Sequence, residues 1–514
     1  MLHSTRVKRW WLSIWLLATA MLAAPAPGQR QGPSTSPPTA GGRSAAPPAS
    51  EPGNWTSPAK TYQATRYSEL DAITTENVQN LKEVWSFTTG VSGGHEGQPL
   101  VVNNTMYVVT PYPNRLFAFD LTRPGFPRKW QCQPTIDAAA PGKACCDVVN
   151  RGAAHADGKI IYNLLDNHTI AVDANTGREV WRTTMGSVNT GQTMTMAPLV
   201  VGDKVFVGNS GGEMGVRGWI AALDVRDGTE IWRAYSTGPD ADVKIGPGFQ
   251  PFYAFLQGKD MGVRTWRGDQ WKIGGGTVWG WISYDPDLHL IYYGTSNPGT
   301  WNAAQRPGDN MFATSIFARD PDSGEARWAW QATPPDMWDY DDVNESIVAD
   351  IPVKGQQRKV IVHFDRNGFA TTIDRATGEV LIAEPYQFVN WATGFDFKSG
   401  RPILDSTKMT HQGRLTRNIC PSSTGARPAA GGVLATDAVV LHAVPQHLHG
   451  LRRGGSAVHR RHAVPGCGGA DVPGAGRRPG CARQVPRMGR EHGQGGVEHR
   501  REVPPLERRP RHRG

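Results

Sequence analysis

One turn pattern, Asp-x-x-x-Gly-x-x-x-Trp, recurs along the chain and constrains its fold more than any other feature. Copies start at Asp173, Asp224 and Asp320, and a fourth starts at Asp374 with an isoleucine in the tryptophan position. An apolar run precedes each turn and a second short run ends at the tryptophan, which predicts a β-hairpin. Two further apolar runs separate successive copies, so each repeat is predicted to hold four short strands.

Repeats of four strands are typical of β-propeller blades, and the sequence therefore predicts an all-β fold. Trp181 and Trp232 each follow the preceding repeated tryptophan by 51 residues, whereas Trp328 follows only after 96. The long interval holds either one degenerate unit or a large insertion. A longer copy ends at Trp130, and Trp85 marks the end of an earlier one. A β-solenoid is the alternative fold, although its repeats are usually shorter.

The start of the chain predicts export. Residues 1–26 read as a signal peptide, with a basic start, an apolar stretch from Trp10 to Ala23 and a small-residue cleavage site. The stretch is short for a membrane span, so we expect cleavage rather than a retained anchor, which is the alternative. Residues 27–60 are rich in Pro, Ser and Gly and are interpreted as a linker. We therefore expect a periplasmic protein without stable membrane insertion.

The formal charge of +9 is confined to one end of the chain. Residues 428–514 hold 15 Arg and 6 acidic residues, whereas residues 1–427 hold 40 basic and 40 acidic residues. The main body is thus neutral and gives no reason to expect nucleic-acid binding. The tail also lacks aromatic residues and isoleucine, so it cannot bury enough apolar surface to form a core.

Two short motifs resemble a known family. Ala-Cys-Cys-Asp stands at residues 144–147 and Trp-Asp-Tyr-Asp at residues 338–341. Together with the repeated turn they resemble the quinoprotein alcohol dehydrogenases, and more narrowly the methanol and ethanol dehydrogenase large subunits. The resemblance runs from about Tyr62 to about Ala426. It implies an eight-bladed propeller carrying pyrroloquinoline quinone (PQQ) and a metal, of which residues 61–427 would form about five to six blades.

A disulfide between Cys145 and Cys146 would close a small strained ring, flat enough to lie against an aromatic cofactor. Two separate thiols are the alternative, and the resemblance favours the disulfide. The resemblance also implies that Trp279 stacks on the quinone and that Arg151 binds one of its carboxylates. Taken alone, Trp279 also fits ordinary core packing. The other cofactor contacts that the resemblance implies are Glu96, Thr195, Ser210, Gly211, Gly212 and Arg366.

The predicted metal ligands are Glu213, Asn297, Asp339 and Asp341. On a strand, the two aspartates would face the same way and could address one ion, whereas Asp342 would face away. Carboxylate and amide oxygens suit a hard cation. Calcium needs only two charges balanced, so a third carboxylate favours a trivalent lanthanide, as in the lanthanide-dependent branch that the motif resembles. Calcium remains the alternative.

The resemblance implies PQQ-dependent oxidation of a primary alcohol to an aldehyde, with electrons passed to cytochrome c. Asp339 would be the catalytic base, and Arg366 would steady charge that develops on the quinone. The same resemblance allows a homodimer. An envelope-assembly propeller without enzymatic activity is the alternative from another class, but it would not need the adjacent cysteines together with the aspartate pair.

The end of the chain departs from the family. Read one nucleotide later, the codons for residues 447–453 permit Ile-Cys-Met-Asp-Tyr-Glu, and those for residues 504–514 permit a Trp-Ser-Gly-Ala run, both resembling family sequence. We therefore predict a one-base frameshift near Arg427, which makes residues 428–514 a basic, low-complexity, disordered tail. A genuine basic tail is the alternative. The predicted function is then that of the parent gene, not necessarily of this polypeptide.

Overall fold

The computed structural model describes residues 52–145, 147–422, 431–434 and 439–442. Its main part is five four-stranded antiparallel sheets, here called blades I to V, followed by a two-stranded sheet called blade VI. Within each blade, strands that follow one another in the sequence are neighbours in the sheet. This arrangement confirms the predicted propeller blades and the four strands of each repeat.

The strands have the following bounds. Blade I contains β1 (Leu100–Val102), β2 (Thr105–Val109), β3 (Leu116–Asp120) and β4 (Arg128–Cys132). Blade II contains β5 (Ala153–Ala156), β6 (Lys159–Leu164), β7 (His168–Asp173) and β8 (Glu179–Thr184). Blade III contains β9 (Leu199–Val201), β10 (Lys204–Gly208), β11 (Trp219–Asp224) and β12 (Glu230–Tyr235). Blade IV contains β13 (Ile282–Asp285), β14 (Leu290–Gly294), β15 (Ser315–Arg319) and β16 (Ala326–Gln331). Blade V contains β17 (Ser346–Val353), β18 (Gln356–Phe364), β19 (Phe369–Asp374) and β20 (Val380–Pro385), and blade VI contains β21 (Ala392–Asp396) and β22 (Arg401–Leu404).

Helical structure in the described residues is limited to short pieces in the connections. Two one-turn helices, α1 (Asp240–Val243) and α2 (Met261–Arg264), lie between blades III and IV. The 3₁₀ turns are Val78–Asn80, Ala140–Gly142, Val188–Thr190, Gly212–Met214, Ala254–Leu256, Gln270–Ile273 and Ser406–Lys408. The long interval before Trp328 is therefore a large insertion rather than a degenerate blade. None of the helices in this part of the chain is long and apolar enough to cross a membrane.

The repeated turn is closed by its own aspartate. The Asp173 carboxylate accepts hydrogen bonds from the backbone N–H groups of Asn175 at 3.1 Å and Thr176 at 2.8 Å. Gly177 then takes a φ of +72°, in the left-handed region that glycine enters at little cost. The Asp and Gly of the pattern are thus required by the turn itself.

The repeated tryptophan of one blade packs on the turn glycine of the next. Trp232, in blade III, lies so close to Gly324 of blade IV that an added Cβ would approach its ring to 2.6 Å. Its indole N–H donates to the Pro321 carbonyl in the same turn, at 3.0 Å. The equivalent contacts join Trp130 to Gly177, Trp181 to Gly228 and Trp328 to Gly378. The repeat therefore specifies the interface between blades as well as the hairpin.

Apolar side chains from adjacent blades form the cores. Leu116 and Ile170 belong to a cluster between blades I and II, and Ile161 and Val205 belong to one between blades II and III. The largest cluster extends from blade III to blade VI. Because these clusters join neighbouring sheets, the loops at the strand ends are held by packed blades and can position a site.

Both ends of the described region differ from the domain boundaries that the sequence predicted. Trp55, inside the predicted linker, forms an isolated bridge with Val101, so the folded part begins within residues 27–60. Trp85 lies outside any strand but packs against Phe126 in the first turn, with ring centroids 5.8 Å apart, much as the later tryptophans pack on theirs. In the predicted tail the structure describes a hairpin of β23 (Gly431–Leu434) and β24 (Val439–His442), regular structure where we predicted little. The signal peptide and the remaining tail lie outside the described residues.

Candidate active site

The Trp-Asp-Tyr-Asp motif lies in a connection between β16 and β17, not on the strand that we predicted. Asp336 organises this loop, because its carboxylate accepts from the backbone N–H of Trp338 at 2.9 Å and of Tyr340 at 3.0 Å. Asp339 follows with a φ of +66°, a left-handed conformation that is strained for aspartate. The strand argument for a shared orientation of Asp339 and Asp341 was therefore wrong. A turn closed by Asp336 holds them instead.

Asp341 and Arg366 form the centre of the predicted site. The buried Asp341 carboxylate accepts from the Asn297 backbone N–H at 2.8 Å and forms an ion pair with Arg366. The guanidinium also approaches Asp339, with 3.9 Å between Nη2 and Oδ2. One terminal atom of the Asn297 side-chain amide lies 3.0 Å from Asp341 Oδ1. As nitrogen it donates to the carboxylate. As oxygen, after a half-turn of the amide, it would share a cation with that carboxylate.

Glu213 occupies the 3₁₀ turn that follows Gly211. The residue is exposed. Desolvation raises the Glu213 pKa, and the positive charge of Arg366 opposes this rise. Arg366 thus acts electrostatically on all three predicted carboxylate ligands. Gly211 has a φ of +108°, and a Cβ there would lie 2.4 Å from the Gly191 carbonyl oxygen, so close backbone packing by itself requires this glycine.

The predicted quinone contacts form one connected network. The buried guanidinium of Arg151 stacks over the Trp279 ring, with 4.7 Å from Cζ to the ring centroid. It forms an ion pair with Glu96 at 3.1 Å and donates to the Thr195 hydroxyl at 2.9 Å. The Thr195 hydroxyl in turn lies 3.0 Å from that of Ser210. Five residues from separate stretches of the sequence are thus brought together, and their role as cofactor contacts stays a prediction.

The quinone contacts and the Arg366 centre act on each other electrostatically. Burial lowers the Arg151 pKa, Glu96 opposes that shift, and the positive charge of Arg366 lowers the pKa further. The two groups of residues therefore belong to one region. Cys145 stands nearby in sequence, and its carbonyl accepts from the Asp147 N–H at 2.8 Å. Cys146 lies outside the described residues, so the vicinal disulfide remains a prediction.

The three predicted carboxylate ligands are not drawn tightly together in this structure. Among the described residues, only one group of three or more Asp, Glu, His or Cys side chains has ligand atoms within 4.8 Å of one another. That group is Asp342, His363 and Asp365. Sequence reasoning gave Asp342 no role and did not consider the other two. For one ion to contact Glu213, Asp339 and Asp341, these side chains would have to approach one another.

The comparison with known proteins decides the family. The family model described as the PQQ glucose/ethanol/alcohol dehydrogenase β-propeller domain matches residues 55–389. The chain belongs to this family. The match confirms the resemblance drawn from the repeated turn and the two motifs, and it makes the connected network around Arg151 and Trp279 a candidate PQQ site.

Within the PQQ dehydrogenase family, the chain is similar to methanol dehydrogenases. The lanthanide-dependent methanol dehydrogenase of Methylacidiphilum fumariolicum (strain SolV) is 53% identical over 384 residues, which is 74% of this chain and 63% of that protein. Methanol dehydrogenase (cytochrome c) subunit 1 of Methylobacterium organophilum is 46% identical over 72% of this chain and 60% of that protein. The solved structure of a europium-containing methanol dehydrogenase matches with a TM-score of 0.75 and 51% identity, over 76% of this chain and 68% of that chain. The chain thus spans about 63% of the length of the first of these relatives.

Two residues of this candidate site escaped sequence reasoning. Asp336 closes the loop that carries the aspartate pair, and burial raises its pKa. Arg306 is buried with it and donates to the Asp336 backbone carbonyl. The signal for Asp336 was weak, since an aspartate often starts a turn by accepting from the backbone N–H two residues further on. Arg306 carried no such signal, because its partner is distant in the sequence.

Proposed function

We propose that this chain provides the cofactor- and metal-binding part of a periplasmic PQQ-dependent alcohol dehydrogenase. The enzyme would oxidise a primary alcohol to the aldehyde and pass electrons to a cytochrome c. One observation carries the proposal: Asp339 and Asp341 share the cation Arg366, which acts electrostatically on the Arg151–Trp279 network. A carboxylate base, a stacking surface and two arginines in one region are what alcohol oxidation on a planar anionic quinone requires.

The residues present fit a planar anionic cofactor. The face of the Trp279 ring is in contact with the planar Arg151 guanidinium, so it can accept a planar group. The only carboxylate paired with Arg151 in the described residues is Glu96, whose side chain is 38% exposed. A cofactor carboxylate would therefore give the buried guanidinium a second anionic partner. Thr195 and Ser210 add hydroxyl groups to the same wall.

The residues also fit a hard cation. Asp339, Asp341 and Glu213 bring three negative charges, and Asn297 brings a neutral amide oxygen. Arg366 supplies only one positive charge in their place. Three carboxylates balance a trivalent ion, so we propose a lanthanide in preference to calcium. The lanthanide-dependent relative supports this choice without testing it in this chain.

The chemistry is divided between the bound groups and the protein. When bound, PQQ would supply the two-electron acceptor and the metal a Lewis acid. Asp339 would accept the hydroxyl proton of the alcohol, and its 19% exposed side chain is open enough to meet a substrate. Arg366 would donate to negative charge that develops beside it. Asp336 would hold Asp339 in its strained conformation.

Replacement of the proposed base tests the activity. In protein from a gene in which the predicted frameshift near Arg427 is corrected, loaded with PQQ and lanthanum, Asp339→Asn should abolish dye-linked alcohol oxidation while PQQ remains bound. The variant removes both the base and one ligand charge. Bound PQQ is measured by its absorbance after gel filtration. Near-normal kcat in the variant would show that Asp339 is not the base. The chain as printed, assayed in parallel, measures how much activity it has by itself.

A second variant tests the metal. Asp341→Ala lowers the charge of the ligand set from about −3 to −2, so it should reduce lanthanide-supported activity far more than calcium-supported activity. The activity of each protein is measured with added lanthanum and with added calcium. Full activity of the unmutated protein with calcium alone would contradict the trivalent assignment and favour the calcium-dependent alternative.

A further inference from the structure

A second polar cluster lies directly behind the proposed active site. It consists of Asp342, His363 and Asp365, none of which the proposed function uses. All three side chains are buried, with exposures of 0%, 0% and 1%. Their ligand atoms lie within 4.8 Å of one another. Two carboxylates and an imidazole at this separation, away from water, need a specific explanation.

The orientation of His363 is fixed by its surroundings. Nδ1 lies 3.0 Å from the backbone carbonyl oxygen of Glu345. Since a carbonyl only accepts, Nδ1 carries the ring proton, and Nε2 presents its lone pair to the two aspartates. Nε2 stands 2.9 Å from Asp342 Oδ1, but this contact lacks hydrogen-bond geometry. An imidazole that donates from one nitrogen to a carbonyl while the other faces carboxylates is arranged like a metal ligand.

The two aspartates lack the donors that buried carboxylates normally have. Neither oxygen of Asp342 or of Asp365 has a hydrogen-bond partner of good geometry among the described residues. The nearby cations are committed elsewhere, since Arg366 pairs with Asp341 and Arg66 pairs with Glu345. The cluster must hold either extra protons or a cation.

We propose that Asp342, His363 and Asp365 bind one Zn²⁺ ion, separate from the catalytic metal. Two carboxylates and a neutral imidazole sum to −2, which one divalent ion neutralises in a buried site. A nitrogen ligand favours zinc over calcium or magnesium, which prefer oxygen ligands and more of them. With ligand distances of ~2.0–2.2 Å and the tetrahedral geometry of zinc, two ligands of one ion stand ~3.3–3.6 Å apart. The three ligand atoms, which lie within 4.8 Å of one another, would therefore move closer together on binding the ion.

The position of the cluster indicates what the ion would do. Asp342 follows Asp341 in the chain, and Asp365 precedes Arg366. The ion pair of Asp341 with Arg366 joins these two segments on the active-site side. A zinc ion between Asp342 and Asp365 would join the same segments from behind and fix their spacing. The ion is thus structural, and binding it requires neither PQQ nor turnover, so it does not depend on the proposed function.

Metal analysis of adjacent aspartate variants tests the proposal. The full chain is purified, incubated with Zn²⁺, passed through a competing chelator column and analysed by plasma mass spectrometry. We expect one equivalent of zinc in the unmutated protein and in Asp341→Asn, and loss of that equivalent in Asp342→Asn and His363→Gln. Because all four proteins carry the same histidine-rich tail, zinc bound there cancels in the comparison. Circular dichroism establishes that each variant is folded.

Two further measurements hold if the variants fail to fold. His363→Cys supplies another zinc ligand and should retain the ion that His363→Gln loses. Zinc-edge X-ray absorption of the unmutated protein should show one imidazole among oxygen ligands at ~2.0–2.1 Å. No retained zinc in the unmutated protein, or zinc without an imidazole ligand, would overturn the site and indicate protons shared between the aspartates. Equal zinc in the folded Asp341→Asn and Asp342→Asn variants would overturn it as well.

Discussion

Contact between the repeated tryptophan and the next turn should dominate the cost of substituting the turn glycines. Gly324 has a φ of +75°, and an added Cβ would approach the Trp232 ring to 2.6 Å. Gly355, in the β17–β18 turn, has a φ of +79° but no described atom within 4 Å of such a Cβ. Alanine costs ~1–2 kcal/mol in the left-handed region at either site. Crowding against the indole adds ~1–3 kcal/mol at Gly324 alone.

Gly324→Ala should therefore lower the free energy of unfolding by about 1–3 kcal/mol more than Gly355→Ala does. Both variants of the full chain are unfolded in urea, and unfolding is monitored by circular dichroism. The free energies of unfolding are compared on condition that the m-values of the two variants are equal. In a Trp232→Leu background the cost of Gly324→Ala should fall to that of Gly355→Ala, since the ring that it would meet is gone. If both substitutions lower the free energy of unfolding equally in the protein with Trp232, contact with the indole does not contribute to the cost of Gly324→Ala.

The site yields three further predictions. Arg366→Gln should destabilise the metal-free protein by ~3–5 kcal/mol, because it leaves the buried Asp341 without a cation, and added lanthanum should restore stability in urea unfolding. Arg151→Gln should weaken PQQ binding about 10- to 100-fold in tryptophan-quenching titrations, whereas Arg233→Gln, whose guanidinium stacks on another tryptophan, should not. The raised pKa of Glu213 means that protons compete with lanthanum at a higher pH than for an ordinary glutamate. Lanthanum affinity, measured by competition at several pH values, should therefore fall as the pH drops through that raised pKa, and Glu213→Gln should flatten this dependence.

The blades could be predicted because the repeated turn needs particular residues at fixed positions. Asp173 must accept from the turn N–H groups, and Gly177 must enter the left-handed region, so both appear in every copy. The hairpins followed directly from these demands. The insertion before Trp328 could not be told from a degenerate blade, because one-turn helices such as α1 leave no periodic pattern.

The structure brings several of the predicted site residues together, but in a conformation that the sequence did not predict. Glu96, Arg151 and Trp279 meet as expected, since the family resemblance carried them residue by residue. The loop around Asp339 was misread as a strand, because alternation over a few residues looks the same in a turn closed by a side chain. His363 was missed because Asp342 and Glu345, which it contacts, come from another segment, and no local sequence pattern predicts a contact between segments.

Because the repeated tryptophan of one blade packs on the turn of the next, the two sides of a blade differ. Each of blades I to IV offers an indole to the next turn, and each of blades II to V receives one, so any run of these units carries two different, mutually complementary ends. Blade V carries Ile382 in the tryptophan position, and blade VI is instead held by the Trp330 indole, which donates to the Gly400 carbonyl at 2.9 Å. Contacts of this head-to-tail kind close into rings or continue from one molecule to the next. Pieces cut just after a repeated tryptophan should therefore associate end to end in register, and whole units from relatives with the same turn should be interchangeable.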